Sequence, residues 1–305
     1  MKDKKALIIG SLNYDIILKQ KRLPKIGETF TADSVTMCGG GKGANQAVQL
    51  SKLGGEALLA GCVGNDTFGN ELLMNLNKYN VNTDYVCRTE KSNTGMGIVN
   101  VFDDGKLIAT ITRGANYEIT TDMIDKIEHE IISSQILILQ MEIPMNVIEY
   151  AINLASKHNT FIILNAAPAC DIDKNVLSKV NCLVVNETEA SFYLNKEIKD
   201  VKSSEENCEE LFEKIKDLLI ITLGENGSLL YDGKEKIHIK AKKADVLETT
   251  GAGDSFIGAF AYKLLNGSSY KEAAEFSSLV SAITVTKMGA QDSMPTYEEV
   301  KKSIK

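Results

Sequence analysis

The chain has 305 residues, 44% hydrophobic and 25% charged, with a net charge of −7 and a pI of about 5.2. Such a composition belongs to a globular protein with a substantial core, and the lack of a lysine or arginine block excludes a nucleic-acid stripe. The apolar run after Lys2, Lys4 and Lys5 stops at Gly10, too short for a signal core or a membrane span, so a cytoplasmic location is expected.

Ala6 to Leu12 is a continuous apolar run ended by small residues, as expected of a central strand covered on both faces. It carries Asn13 and Asp15 to its carboxyl end, where two short polar side chains suit vicinal hydroxyls or, equally, an Asx-turn. Two short alternating segments follow, Glu28 to Ala32 and Ser34 to Met37. Later come Gly97 to Phe102 and Leu107 to Ile111, which flank the hairpin signal Asp103-Asp104-Gly105-Lys106. These four segments predict a small β-sheet lid, formed by about residues 14–38 and 95–113, on one domain spanning residues 1–305. Its outer face would suit a dimer contact.

Gly39 to Ala47 joins the lid to a helical run through Val48, Leu50 and Leu53. Its glycine spacing fits neither a Walker A loop nor a dinucleotide fingerprint. Close backbone approach to a small polar ligand, with Lys42 and Asn45 reaching in, and a flexible hinge both fit. Beyond it, strands at Ala57–Val63, Ile136–Glu142, Phe161–Asn165, Cys182–Asn186 and Leu219–Gly224 alternate with helices at Phe68–Tyr79 and Val147–Ala155. That rhythm predicts an α/β fold: a three-layer, doubly wound, mostly parallel sheet with helices on both faces. Asp15, Glu142, Asn165, Asn186 with Glu189, and Gly224 would then line one rim. Asn186 and Glu189 also fit a capping box, and Glu142 a first-turn residue before Pro144.

Thr250-Gly251-Ala252-Gly253-Asp254 runs into the apolar pattern Phe256, Ile257, Phe260, Leu264, Leu265. A glycine-rich turn opening a helix presents unpaired N–H groups and the positive end of the dipole, which suit a phosphate or an oxyanion. Asp254 beside such a site suits a base that takes a proton from an attacking hydroxyl, or a helix cap. Six scattered cysteines (38, 62, 87, 170, 182 and 208) show no CxxC or zinc spacing, which predicts mostly small buried thiols in a reducing compartment. His129, His158 and His238 have no paired spacing and are expected at the surface.

Read together, Gly40-Gly41-Lys42-Gly43-Ala44-Asn45-Gln46-Ala47 and Thr250 to Asp254 resemble the ribokinase-like (phosphofructokinase-B) family of carbohydrate kinases. The resemblance runs in order through Gly10 to Asp15, Gly114-Ala115-Asn116, Asn165 to Ala169, Asn186 to Glu189, Thr222 to Gly224 and Gly289-Ala290-Gln291. It implies an α/β sandwich whose β lid often forms a homodimer, and ATP-dependent transfer of a γ-phosphate to a sugar hydroxyl. D-ribose is the first choice of acceptor, ahead of 2-deoxyribose, a ketohexose or a nucleoside. Asp254 matches the family's base, and the amides of Gly251, Ala252 and Gly253 its anion hole. Asn13, Asp15, Gly40, Gly41, Lys42, Asn45 and Glu142 match sugar-binding positions. Asn186, Thr222, Gly224, Gly227, Gly253 and Ser278 match ATP-binding positions, and Glu189 a Mg²⁺ position acting through water. Glu248, Thr250, Thr284, Lys287, Gly289 and Ser293 match a monovalent-cation (K⁺) site. Glu248 departs from the usual aspartate, Ala166 from a common proline, and Ser278 from a histidine seen in some relatives. A sugar- or nucleotide-binding regulator without transfer is the remaining class, against which the intact Asp254 turn stands; an oxidoreductase lacks its GxGxxG.

Overall fold

The computed structural model describes residues 2–103 and 107–303. The expected turn at Asp104-Gly105-Lys106 lies outside the described residues. Thirteen strands are described: β1 Asp3–Ile9, β2 Asn13–Lys19, β3 Ser34–Gly40, β4 Glu56–Gly64, β5 Asn82–Thr89, β6 Gly95–Val101, β7 Leu107–Thr112, β8 Ser134–Gln140, β9 Phe161–Asn165, β10 Cys182–Asn186, β11 Leu218–Thr222, β12 Ser228–Tyr231 and β13 Lys236–Ile239. The helices are α1 Lys42–Lys52, α2 Thr67–Lys78, α3 Thr121–Lys126, α4 Glu128–Ser133, α5 Met145–Lys157, α6 Lys174–Leu177, α7 Glu187–Leu194, α8 Val201–Phe212, α9 Ala252–Leu265, α10 Tyr270–Thr284 and α11 Tyr297–Ser303.

Nine strands form the main sheet in the order β13-β12-β11-β10-β9-β8-β1-β4-β5. All pairings from β11 to β5 are parallel, and β12 and β13 close one edge antiparallel. Alternation along each strand builds two separate cores. Leu7, Ile9, Leu137, Leu139, Ile162, Leu164, Leu183, Val185, Leu219 and Ile221 pack with α5, α7 and α8. Their neighbours Ala6, Ile8, Ile136, Ile138, Ile163, Val184 and Ile220 pack with α1, α2 and α9. A sheet apolar on both faces can exist only between two helical layers, which is why the strands read as unbroken apolar runs.

The small sheet has the order β3-β2-β6-β7. Its four strands correct the expected lid in two respects. Glu28–Ala32 is not a strand: Glu28 accepts from both terminal guanidinium nitrogens of Arg22 and from the Lys25 N–H, while Arg22 stacks 4.4 Å from the Phe30 ring, so local contacts hold this segment as an irregular loop. The missing strand is β2, so Asn13 and Asp15 belong to the lid and not to the end of β1. The chain leaves the main sheet after Ile9 and enters the lid through Gly10–Leu12.

Residues directly opposite in register share a face. Met37, Ile16 and Ile98 form one row, and Val35, Leu18, Asn100 and Ile108 the next. This face is opposite to that of Asp15, and Val35, Met37, Ile98 and Ile108 on it are exposed.

The cysteine expectation needs one correction. Cys62 and Cys87 are partners in the β4–β5 register and are paired as a disulfide, with Cα atoms 4.6 Å apart. The crossover through α2 brings them together, so their spacing in sequence hid the pairing. Cys38, Cys170, Cys182 and Cys208 are free. No helix among the described residues is long and apolar enough to cross a membrane.

Candidate active site

The parity of the strands decides where the rim residues point. Gln140 has the parity of Ile136 and Ile138, Asn165 that of Ile163, Asn186 that of Val184, and Thr222 that of Ile220, all of which face the α1/α9 layer. A row of polar strand ends is therefore delivered beneath the amino-terminal turns of α1 and α9.

At the start of α1 the chain turns at Gly41, with φ 89°. Ser11 is the hub beneath this turn: its carbonyl accepts the Ala44 N–H at 3.0 Å, and its hydroxyl donates to Glu142 Oε2. The same Glu142 oxygen accepts the Lys42 N–H at 3.3 Å. Glu142, expected on the rim, is thus drawn to the positive end of α1. Burial lowers the Lys42 ammonium, but Asp254, Glu142, Glu189 and Asp15 act against it and leave its pKa raised. Lys42 is held as a cation among four carboxylates.

Asn13 and Asp15 emerge from β2 towards the same space. Asn13 is 3% exposed and its Oδ1 accepts from Asn116 Nδ2 at 2.7 Å, while Asn116 Oδ1 takes the Leu12 N–H at 2.8 Å. Asp15 lies between two strands that carry glycines next to it. A Cβ at Gly40 would stand 2.0 Å from Asp15 Oδ2, and one at Gly97 2.3 Å from Oδ1. These glycines leave room for the carboxylate, whose pKa rises to about 6 through burial first and the fields of Glu142 and Asp254 second, against a Gly97 N–H and Lys42.

Helix α9 begins at Gly251, in the left-handed region at φ 76°, with Ala252 as its first residue. The Ala252 N–H, expected in the anion hole, donates to Thr249 O at 3.2 Å within the turn itself. The N–H groups of Gly253 and Asp254 have no acceptor among the described residues, and a Cβ at Gly253 would meet open space. Asp254 is 8% exposed; its Oδ2 accepts from Asn45 Nδ2 and its Oδ1 from Gln46 Nε2, both at 2.9 Å. The two distant glycine-rich turns therefore meet, with Asp254 between them. The contact depends on Gly258, one turn further along α9, where a Cβ would lie 2.7 Å from Gln46 O and 3.0 Å from Leu50 N of α1.

The remaining candidates lie further along the rim. Asn186 and Thr222 are register partners on β10 and β11. Asn186 and Glu189 do form a reciprocal capping box, Asn186 Oδ1 taking the Glu189 N–H at 2.9 Å and Glu189 Oε2 the Asn186 N–H at 2.8 Å. Burial raises the Glu189 pKa. Gly224 and Gly227 bracket a short 3₁₀ turn after β11. Ser278 on α10 donates to Lys240 O at 3.4 Å, beside a cavity of about 430 Å³ lined by Ile239, Lys240, Lys242, Lys271 and Glu275.

Two cation sites can be tested against this chemistry. No group of three or more His, Cys, Asp or Glu among the described residues could hold a metal ion. Both Glu189 oxygens already accept from Asn186, which suits contact with Mg²⁺ through water and not direct ligation. Glu248 is buried; its Oε2 accepts the Gly289 N–H at 2.8 Å, and its Oε1 is buried with no hydrogen-bond partner among the described residues. An orphaned carboxylate oxygen fits a cation ligand. Thr284 and Ser293 are buried and donate to Val280 O and Ala290 O, which leaves their oxygen lone pairs available. The Lys287 ammonium instead pairs with Glu299 at 2.7 Å, so only its carbonyl remains as a candidate ligand.

Ser11, Gln46, Asn116 and Gln140 were not singled out from sequence. Ser11 and Asn116 stood inside recognised motifs, and Gln140 ends an apolar strand with a polar residue, a signal that could have found it. Gln46 also stood inside a recognised motif, but a polar residue near the start of an amphipathic helix reads as solvent-facing.

Residues 3–297 match the pfkB family of carbohydrate kinases. The chain is 36% identical over 306 residues to a ribokinase of Schizosaccharomyces pombe, and 31% identical over 293 residues to a deoxyribokinase of Salmonella typhi; each alignment covers 96% of both chains. A solved structure of Arabidopsis thaliana ribokinase complexed with ribose and ATP superposes with a TM-score of 0.93 at 30% identity, covering 100% of this chain and 99% of that one.

The raised value of Asp15 has a consequence for stability. A carboxylate at about 6, against an ordinary 3.8, makes ionisation at neutral pH a cost to the fold, absent below pH 3.8 and fully developed above about 6. Asp15→Asn is therefore expected to stabilise the ligand-free protein at pH 7 by up to about 3 kcal/mol, with the gain vanishing near pH 4. Urea unfolding at the two pH values checks this, and a gain of the same size at both would refute the electrostatic cause.

Proposed function

We propose that this chain, which belongs to the pfkB family of carbohydrate kinases and is an ATP-dependent kinase, phosphorylates D-ribose to D-ribose 5-phosphate. The observation that carries the reading is Asp254: one buried carboxylate, clamped by two side-chain amides, at a helix amino terminus whose next N–H groups have no acceptor among the described residues. Ribokinase relatives support ribose as the acceptor, and the deoxyribokinase relative makes 2-deoxyribose the second candidate.

In this reading Asn13, Asp15, Lys42, Asn45 and Glu142 bind the sugar. Their fixed acceptors and donors suit neighbouring hydroxyls, and hydrogen bonds of Asn13 with Asn116, of Glu142 with Ser11 and the Lys42 N–H, and of Asn45 with Asp254 and Gln291 hold that geometry before the sugar arrives. Asp254 takes the proton of the attacking hydroxyl as the O–P bond forms. The Gly253 and Asp254 N–H groups, with the α9 dipole, face the charge that gathers on the transferring phosphoryl group. Asn186, Thr222, Gly224, Gly227 and Ser278 line the nucleotide end, and the lid excludes water. Glu189 would hold Mg²⁺ through water, and the ion would supply charge neutralisation at the phosphates. K⁺ fits beside Glu248, with the Thr250, Thr284, Lys287, Gly289 and Ser293 positions around it, and would stiffen the turn that forms the anion site. A homodimer forms through the apolar outer face of the lid. The cytoplasm, where ATP is available, is the proposed location, and cell fractionation with the protein outside the cytosolic fraction would refute it.

Asp254→Asn is expected to lower kcat on the order of 10²-fold or more with ribose affinity kept. ADP release with ribose, 2-deoxyribose, fructose and adenosine as acceptors tests both points; near-normal turnover in the mutant, or a strong preference for another acceptor, would overturn the corresponding part. Replacing Na⁺ by K⁺ should raise turnover several-fold in the wild type and leave Glu248→Ala unchanged. Equal rates in the two salts would remove the cation site. Sedimentation should show a dimer that Met37→Glu together with Ile98→Asp converts to monomer, and a monomeric wild type would end the dimer proposal.

A further inference from the structure

We infer that Gln46 is a positioning residue for phosphoryl transfer, and that Gln140 sets the direction in which its amide points. The inference rests on the reading of Asp254 as the base.

Gln46 and Gln140 are both 0% exposed, at the meeting of α1 with the carboxyl end of β8. Burying an amide is unfavourable unless its hydrogen bonds are made, and an apolar residue of the same volume would fill the space more cheaply. Here the amide of Gln46 is fully used. Its Nε2 donates to Asp254 Oδ1 at 2.9 Å and to Asn165 Oδ1 at 3.2 Å, and its Oε1 accepts from Gln140 Nε2 at 2.7 Å. Two donations and one acceptance leave only one orientation of the group.

That orientation matters because a side-chain amide can be turned end for end with no change of shape. Reversed, Gln46 would aim its carbonyl oxygen at the Asp254 carboxylate. The Gln140 N–H, engaged with Gln46 Oε1, opposes the reversal, and Gln140 Oε1 is left buried with no hydrogen-bond partner among the described residues. Gln140 in turn is seated against Gly10, where any Cβ would fall 1.9 Å from Gln140 Oε1. Asn45 completes the clamp from the other side, donating to Asp254 Oδ2 while its own Oδ1 accepts from Gln291 Nε2 at 3.2 Å. Both oxygens of Asp254 are thereby pinned and the plane of the carboxylate is fixed. Asn45 belongs to the proposed sugar site, whereas the contacts of Gln46 are with Asp254 and the strand ends, so its effect should fall on turnover and not on binding.

The experiment compares kcat with the dissociation constants of ribose and ATP in four variants. Gln46→Leu removes the donor at similar volume, and Gln46→Glu keeps the acceptor used by Gln140 but puts an oxygen where the donor stood. Each is expected to lower kcat by roughly 10-fold to 100-fold, with both dissociation constants within about 3-fold of wild type. Gln140→Met should lower kcat by itself and have no further effect in the Gln46→Leu background, since the two act in series. A folded Gln46→Leu or Gln46→Glu with wild-type kcat would overturn the inference, and so would a Gln140→Met loss of the same size in both backgrounds. If Gln46→Leu fails to fold, Gln46→Glu decides. Asp254→Asn, measured in parallel, separates the two levels. Normal turnover there would defeat the reading of the base itself, whereas an inactive Asp254→Asn beside a fully active Gln46→Glu would defeat only the inference about Gln46.

Discussion

The backbone contact between α1 and α9 is the constraint on which the site depends. Two helices whose starting turns lie more than 200 residues apart cross so closely at Gly258 that no side chain fits between them. Only at that separation can the short side chain of Asp254 meet amides on α1. Close packing of this kind leaves little slack, because interiors have few voids into which a displaced helix could move. The geometry of the carboxylate is thus set by the main chain, and the amides refine it.

The electrostatics of the pocket run against stability. Asp15, Glu142, Glu189 and Asp254 converge on Lys42, one cation among four acidic groups. Asp15 carries the strain of this arrangement in a raised pKa, and two adjoining glycines leave its carboxylate the room it occupies. Burial raises Glu189 in the same direction. A pocket assembled only for packing would not gather like charges, whereas one that must hold hydroxyls and a polyphosphate with its cations can use them once the ligands arrive. Glu248, with one oxygen anchored by Gly289 and the other without a partner among the described residues, follows the same logic at a second position.

The lid joins these two themes. Its β2 strand follows β1 after only three residues, so the Asp15 face of the small sheet is tied to the rim of the large one. The opposite face carries an apolar row through Met37, Ile16 and Ile98 that nothing in the chain covers among the described residues.

The order of layers and the glycine-rich turn before Asp254 could be read from the residues alone. β1, β8, β9, β10 and β11 are unbroken apolar runs, and the glycine-rich starts of α1 and α9 mark themselves by composition; each is a property of neighbours in the chain. β2, β5, β12 and β13 escaped detection. Ile16, Ile17 and Leu18 are consecutive apolar residues whose alternation appears only once β3 and β6 flank them, and β5 is a polar edge strand. The loop at Glu28–Ala32 imitates a strand because its salt bridge to Arg22 is invisible in a pattern of alternation. Local periodicity dictated secondary structure and parity, and parity already aimed the polar strand ends at one layer. Folding alone decided that Gln46 would find Asp254 across 208 residues, that Ala252 would spend its N–H inside its own turn, and that Cys62 would face Cys87. A buried polar atom must find its partner in three dimensions, and that partner can come from any part of the chain.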